Sequence, residues 1–312
     1  MNCRIAVFMI TYNHESFIEQ AVTSVISQST DSSLMLFIGE DMSTDSTREI
    51  CLNLKTKHPD RITLFLNDEN LGVINNAAHI LQQCIMWKAD YISFLEGDDY
   101  WTDPLKLQKQ VNLLKKNPKM SMVFTNAHKL VNGKLATFFD GQLPAPESNL
   151  YEFIHLRHRV ATATVVVKSN VAHAVLQLLS ENETRFFHLD YLIWCVAAKH
   201  GSIGFITETT AVYRVHANSM IRKAETMSTL ESGMRMNKFL ADYLGPEYRP
   251  HFLQNNWWYY LEFAYIDISV GRVSRSMYWL VRSLWESVRF GKSNQLQIVR
   301  DYLYRLRNRN SN

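Results

Sequence analysis

At 312 residues the chain can form one large domain or two modest ones. Its 46% hydrophobic and 20% charged residues are those of a globular protein, and a net charge of +3 is too small to imply a nucleic-acid partner. Cys3, Cys51, Cys84 and Cys195 lie far apart without CxxC spacing, which argues against a zinc site or disulfide framework and for free thiols in a reducing compartment.

The first apolar run begins almost at once with no secretory pattern, and no stretch of about 20 residues lacks charge. The expectation is a cytoplasmic protein without a bilayer-spanning helix. Residues 4–10 form a continuous apolar run of strand length, as in a parallel sheet buried on both faces. Thr11-Tyr12-Asn13-His14 ends it, and Phe17, Ile18, Ala21, Val22, Val25 and Ile26 then follow helical spacing. A second strand, Leu34 to Ile38, ends in Gly39-Glu40-Asp41, and Ser43 to Thr47 can cap a helix running to about Lys57. A third strand, Ile62 to Leu66, leads through a polar turn ending Asn70-Leu71-Gly72 into a helix to about Trp87.

The fourth strand, Tyr91 to Leu95, stops at Glu96-Gly97-Asp98-Asp99. Four strands alternating with three helices predict a parallel, doubly wound sheet whose ligands collect at the strand C-terminal ends. The unusual polar residues all fall at those ends. Three carboxylates within four residues repel one another unless a cation joins them, and carboxylate oxygens suit Mg²⁺ or Mn²⁺. Such ions take most of their ligands from phosphate and water, so the pattern points to a metal site holding a diphosphate. The plainer reading is a solvated acidic turn. Tyr100-Trp101 directly after it argues against an idle surface loop.

Pro104 opens an amphipathic helix to Lys116, and Met120–Asn126 and Leu135–Phe139 flank a Val-Asn-Gly turn as a hairpin. Gly141–Ser148 reads as a mobile loop, and Thr162–Val167 as a strand. Helices at about Asn170–Leu179 and His188–Lys199 precede short strands at Ile203–Ile206 and Ala211–Tyr213. From about Ala224 the pattern is helical only, which divides the chain into domains at 1–223 and 224–312. Residues 271–312 carry nine Arg or Lys against two acids. Within them Val273, Met277, Leu280, Val281, Leu284, Trp285 and Val288 share one helix face, with Arg275, Arg282 and Arg289 seven apart on another. Two readings stay open: a core helix with a solvated basic face, or a helix lying on anionic lipid.

Residues 7–28, Glu40 to Thr47, Asn70-Leu71-Gly72 and Leu95 to Trp101 together resemble family 2 glycosyltransferases. The ordered set covers roughly residues 4–220. The resemblance implies an α/β fold of GT-A type, a Rossmann-like, mostly parallel sheet flanked by helices, here with a C-terminal all-helical extension. It implies an inverting enzyme that uses a nucleotide-diphosphate sugar, most readily a UDP-sugar, and Mn²⁺ or Mg²⁺. The implied acceptor is a hydroxyl of a glycan or lipid-linked oligosaccharide in bacterial surface polysaccharide synthesis. The implied location is the cytoplasm, peripheral to the inner membrane face.

By the same likeness Thr11, Tyr12, Asn13, Asn70 and Gly72 belong to the nucleotide site. Asp41 matches the acid that contacts the base, and Glu40 stands where the family more often has Asp. Glu96-Gly97-Asp98 matches the DxD motif with Glu for the first Asp, so Asp98 takes the metal and Glu96 reaches the ribose or a metal water. Asp99 is close enough to exchange roles with Asp98. Asp190 falls where the family places its general base, though an early-turn carboxylate is also favoured by the helix dipole alone. Tyr213-Arg214-Val215-His216 resembles a late segment whose His lies near diphosphate or metal; an imidazole can ligate, donate or fill a core.

Rival classes lack their signatures. A GxGxxG after the first strand and a GxxxxGK[ST] loop are both absent, which excludes a nicotinamide oxidoreductase and a P-loop kinase. A non-catalytic nucleotide-sugar-binding protein of the same fold remains the alternative, because binding needs the strand-end cluster but not Asp190.

Overall fold

A computed structural model describes residues 3–139, 141, 143–154, 160–181, 189–216, 226–254, 256–289, 299–300, 302–304 and 307. The chain divides into two compact units, the first drawn from Met1–Glu183 and Leu189–Lys223 and the second from Ala224 onward.

The first unit opens with β1 (Arg4–Thr11), α1 (Ile18–Ile26), β2 (Ser33–Glu40), α2 (Thr47–Lys57), β3 (Ile62–Leu66), α3 (Gly72–Met86) and β4 (Tyr91–Phe94). β1 pairs in parallel with β2 and β4, and β2 with β3. The apolar runs make this arrangement favourable: Ile5, Ala6, Val7 and Met9 of β1 are wholly buried, as a strand covered on both faces requires. Register then sets the site, because Thr11 stands opposite Glu40. The chain leaving β4 stays beside β1, with Leu95 N–H donating to Phe8 O (3.0 Å) and Gly97 N–H to Ile10 O (3.1 Å). Those two bonds carry Glu96, Asp98 and Asp99 to the mouth of the sheet.

The unit continues with β5 (Tyr100–Trp101), α4 (Lys106–Lys116), β6 (Met120–Val131), β7 (Lys134–Thr137), β8 (Glu147–Ser148) and α5 (Leu150–Ile154). A 3₁₀ turn (Thr162–Thr164), β9 (Val166–Lys168), α6 (Ser169–Glu181), α7 (Leu189–His200) and β10 (Ser202–Val215) complete it. The sheet runs β3-β2-β1-β4-β9-β6-β10-β5. β9 lies antiparallel between β4 and β6, and β6 is parallel to β10. Beyond β4 the sheet is therefore mixed. The β6–β7 hairpin follows the expected turn, with Asn132 and Gly133 both at positive φ.

Three expectations change. The strands expected at Ile203–Ile206 and Ala211–Tyr213 are one long strand, β10, whose register slips around Thr209 instead of breaking. Thr162–Val167 is split, since Thr164 N–H and Oγ1 both turn back to Ala161 O and close the 3₁₀ turn before β9. The loop expected at 141–148 ends in β8, antiparallel to β10; its position 142 lies outside the described residues.

A buried lysine packs against Trp101, just after the acidic run. Lys106 Nζ lies 4.3 Å from the centre of the Trp101 ring and donates to Gln110 Oε1 (2.8 Å). Trp101 Nε1 donates to Ala163 O (2.7 Å). Burial pushes the Lys106 ammonium well below its usual range.

The second unit contains α8 (Met227–Leu244), α9 (Arg249–Leu253), α10 (Asn256–Ser269) and α11 (Val273–Arg289). A capping box at Thr226 and Thr229 starts α8. Leu261, Ala264, Tyr265, Leu280 and Tyr302 form one of its cores. The reading of α11 as a core helix packed through its apolar face is corrected here. Its buried residues are Ser276, Leu280, Ser283, Glu286 and Ser287, while Val273, Met277, Val281, Trp285 and Val288 are exposed. The serines explain the inversion, because Ser276 Oγ donates to Ala264 O and Ser283 Oγ to Trp257 O, both at 2.7 Å. Small side chains bonded to α10 carbonyls hold the helix close by its polar seam. No described helix is long and apolar enough to cross a membrane.

Candidate active site

Two strand-end loops are stitched together first. Asn13 takes a positive φ and its Oδ1 accepts from Thr44 N–H (2.8 Å). Asn13 N–H donates to Ser43 Oγ (3.0 Å) and His14 N–H to Thr47 Oγ1 (2.8 Å). The Ser/Thr run before α2 is thus spent on the neighbouring loop, and Ser46 makes no side-chain cap. Tyr12 is left exposed beside this seam.

Glu40 and Asp41 face inward. Glu40 is fully buried, pairs with Arg48 Nε and accepts from Ser43 N–H (2.6 Å). Asp41 Oδ1 accepts from Asn67 Nδ2 (2.8 Å) and Leu71 N–H (2.9 Å), and its Oδ2 from Gly72 N–H (3.0 Å). Asn70 Nδ2 donates to Asp41 O (3.1 Å). Gly72 sits at φ +75°, a left-handed turn that lets its N–H reach the carboxylate. Asp41 therefore organises the turn that carries Asn70 and Gly72.

The acidic run meets two imidazoles. Asp98 Oδ2 lies 3.1 Å from His216 Nε2 and 3.8 Å from His14 Nε2. Burial alone would raise the Asp98 carboxyl, but the His216 hydrogen bond and the charges of both histidines hold it below the usual range. Burial pulls His14 down, against the pull of Asp98. Thr11 Oγ1 lies 3.2 Å from His14 Nδ1 and orients that ring.

Glu96 and Asp99 are tuned the other way. Burial first, then the charges of Asp98 and Asp190, push Glu96 up to about 8. Although Glu96 as a residue is half-buried, its Oε2 is enclosed without a hydrogen-bond partner among the described residues. Asp99 is raised well above the carboxylate range by burial and by Asp98 and Glu96. Its Oδ1 accepts from Arg214 N–H (2.8 Å), and its Oδ2 has no partner among the described residues.

Asp190 lies in the first turn of α7 and is half-buried, its Oδ1 accepting from Tyr191 N–H (2.8 Å). Burial raises the Tyr213 hydroxyl, and Asp99, Glu96, Asp98 and Asp190 all add to that. One phenol thus feels four carboxylates from two distant parts of the sequence, the β4 end and the α7 start.

Two residues of this site were not among the sequence candidates. His14 closes the Thr11-Tyr12-Asn13 motif and points back at Asp98. Arg214 donates to Asp98 O and to Gln20 Oε1, with its guanidinium 4.4 Å from the Tyr100 ring centre and 5.1 Å from that of Phe17. The antiparallel β5–β10 pairing brings it there, with Val212 opposite Tyr100. The signal for Arg214 was its place two residues before His216; nothing local distinguished it from a surface arginine.

The residues fit a divalent cation at a diphosphate. Asp98 is partly exposed with an imidazole beside it, a carboxylate and a nitrogen donor open to an ion. No three His, Cys, Asp or Glu among the described residues are grouped to cage a metal alone. Mg²⁺ and Mn²⁺ at diphosphates need no such cage, since phosphate and water complete their shell.

Gly97 shows how tightly the ends fit. A Cβ there would lie 2.6 Å from Thr11 Oγ1, 2.8 Å from Thr11 Cβ and 2.9 Å from His14 Nδ1. Gly97→Ala is expected to part the strand ends, costing about 1–3 kcal/mol of stability and weakening nucleotide-diphosphate binding about tenfold. Thermal unfolding and calorimetric titration check both numbers. Unchanged values would mean that the β1 and β4 ends separate freely.

The profile of Glycosyl transferase family 2 matches residues 6–170. An uncharacterized protein of Mycobacterium tuberculosis is 27% identical over 221 residues, covering 71% of this chain and 61% of that relative. The match thus spans less than two thirds of the mycobacterial protein. The putative teichuronic acid biosynthesis glycosyltransferase TuaG of Bacillus subtilis is 27% identical over 217 residues, 69% of this chain and 81% of TuaG. The crystal structure of S. aureus TarS 1–349 in complex with UDP-GlcNAc is similar at a TM-score of 0.68 and 15% identity, covering 99% of this chain and 90% of that one. At that identity the likeness shows the fold, an α/β sheet flanked by helices of GT-A type.

Proposed function

Because this chain belongs to glycosyl transferase family 2, we propose that it moves a sugar from a nucleotide-diphosphate sugar to a hydroxyl of a glycan or lipid-linked acceptor. The observation that carries this is Asp98 beside His216 at the ends of the sheet strands, with the charge of Asp190 felt by Glu96 and Tyr213. A UDP-sugar is the first donor to test, supported by the UDP-GlcNAc complex of TarS. The teichuronic acid biosynthesis in the name of TuaG supports a product in bacterial surface polysaccharide, and the proposal sets its synthesis at the inner face of the membrane.

Asp98 and His216 are the groups that would hold the cation. A divalent ion bound there supplies positive charge to the departing diphosphate. Asp99, enclosed and bonded to Arg214 N–H, serves as a brace for the loop rather than as a ligand. Tyr12, exposed at the first strand end, offers a ring for the base, while Asp41 keeps Asn70 and Gly72 in place below it. Asp190 takes the proton of the acceptor hydroxyl as that oxygen attacks the anomeric carbon. One displacement opposite the leaving group inverts the configuration, so no nucleophilic carboxylate is needed. Glu96, whose carboxyl is raised by burial and by the charges of Asp98 and Asp190, is assigned to the ribose or to a water on the cation.

The test is a panel of UDP-, dTDP- and GDP-sugars incubated with the protein, with and without Mn²⁺, reading diphosphate release. One donor should release its nucleotide, and only with the metal present. Failure of every donor either to bind or to release nucleotide overturns the proposal.

A further inference from the structure

We infer that the outward face of α11 is an interfacial membrane-binding surface that seats on anionic lipid. At about 100° per residue, Val273, Met277, Val281, Trp285 and Val288 fall on one side of the helix, with Tyr278 at its edge. The opposite side, through Ser276, Ser283 and Ser287, is the one held to α10. Val281 is 59% and Val288 62% exposed, so the helix displays its apolar stripe and hides its polar seam. Folding alone gives no reason to keep five large apolar groups in water.

Charge says what covers them. Arg275, Arg282 and Arg289 recur every seven residues along one border of the stripe, and Arg272 lies just before it. Among the described residues these guanidiniums pair with Asp267 and Glu286, and residues 271–312 carry nine Arg or Lys against two acids, a positive surplus in this stretch. Trp285 stands at that border with Arg282 and Arg289 each 5.3 Å from its ring centre. An apolar stripe edged by arginine and tryptophan is the pattern of a helix lying in a lipid headgroup region. An antiparallel pairing with a second copy would bring like-charged rims together, whereas anionic headgroups neutralise them. The inference deepens the location proposed above but rests on the second unit alone, and vesicle binding is read apart from diphosphate release.

The experiment floats the full chain with vesicles of neutral phosphatidylcholine or of phosphatidylcholine with phosphatidylglycerol. The protein should float with the anionic vesicles and be partly released by salt. Val281→Asp combined with Val288→Asp should reduce flotation by about tenfold or more while the thermal melting curve stays unchanged, because both side chains face water. Tryptophan emission should shift to the blue on anionic vesicles, and Trp285→Phe should remove much of that shift. Equal flotation of wild type and double variant overturns the inference, as does no flotation with either lipid. A concentration-dependent dimer dispersed by the double variant would assign the face to a second copy and overturn it too.

Discussion

Asp190→Asn should lower sugar transfer by about 10²–10⁴-fold while leaving nucleotide-sugar affinity within about twofold. The asymmetry follows from position. Asp190 belongs to α7, and its charge reaches Glu96 and Tyr213, while the groups around Asp98 come from β1, β10 and the β4 end. An amide in its place keeps the oxygen that accepts from Tyr191 N–H, so the helix start is preserved. The loss of a negative charge near a helix N-terminus costs only about 0.3–1 kcal/mol. On the proposed mechanism, what disappears is the base for the acceptor proton. Single-turnover transfer and calorimetric nucleotide binding separate the two effects. Transfer retained above about a tenth of wild type would remove Asp190 from the proton's path. A protein that binds nucleotide sugar yet releases nothing, with or without the substitution, would instead be a binding module.

Asp98→Asn should weaken Mn²⁺-dependent nucleotide binding by about 10²-fold or more, and Asp99→Asn by far less. Both carboxylates lie in the same short run, but the fold separates them. Asp98 is partly exposed and faces His216 and His14, whereas Asp99 is 1% exposed and has one oxygen committed to Arg214 N–H. Replacing Asp98 removes the carboxylate that, among the described residues, both imidazoles approach. Replacing Asp99 exchanges one inward-facing polar group for another of the same shape. Titration of each variant with UDP at fixed Mn²⁺ decides between them. If Asp99→Asn abolishes the metal dependence and Asp98→Asn does not, the ligand has been assigned to the wrong neighbour.

The first four strands and three helices could be read from the chain because each carries its own local signal. Strands buried on both faces read as unbroken apolar runs, and the helices between them keep a 3.6-residue period. The hairpin turn was equally local, since Asn132 and Gly133 suit the two positive φ angles it needs. β10 was less legible. Its irregularity around Thr209 looks in sequence like a break, and only pairing with β6 on both sides of the slip shows one continuous strand. The 3₁₀ turn at Thr162–Thr164 was hidden for a related reason. β-branched residues favour a strand on propensity, and a bond back to Ala161 O overrides it.

By itself the sequence determined which residues stand at strand ends, because that depends on where apolar runs stop. It could not determine which way those residues turn. Tertiary structure decided that Asp98 meets two histidines while Asp99 faces Arg214, because the antiparallel β5–β10 pairing carries Arg214 and His216 to the acidic run from more than 100 positions away. It also decided that α11 turns its serines inward, since α10 offers carbonyl oxygens at that contact and the small serine side chains let the two helices approach closely. Periodicity reports that a helix has two faces; only the packed neighbour selects which one is covered.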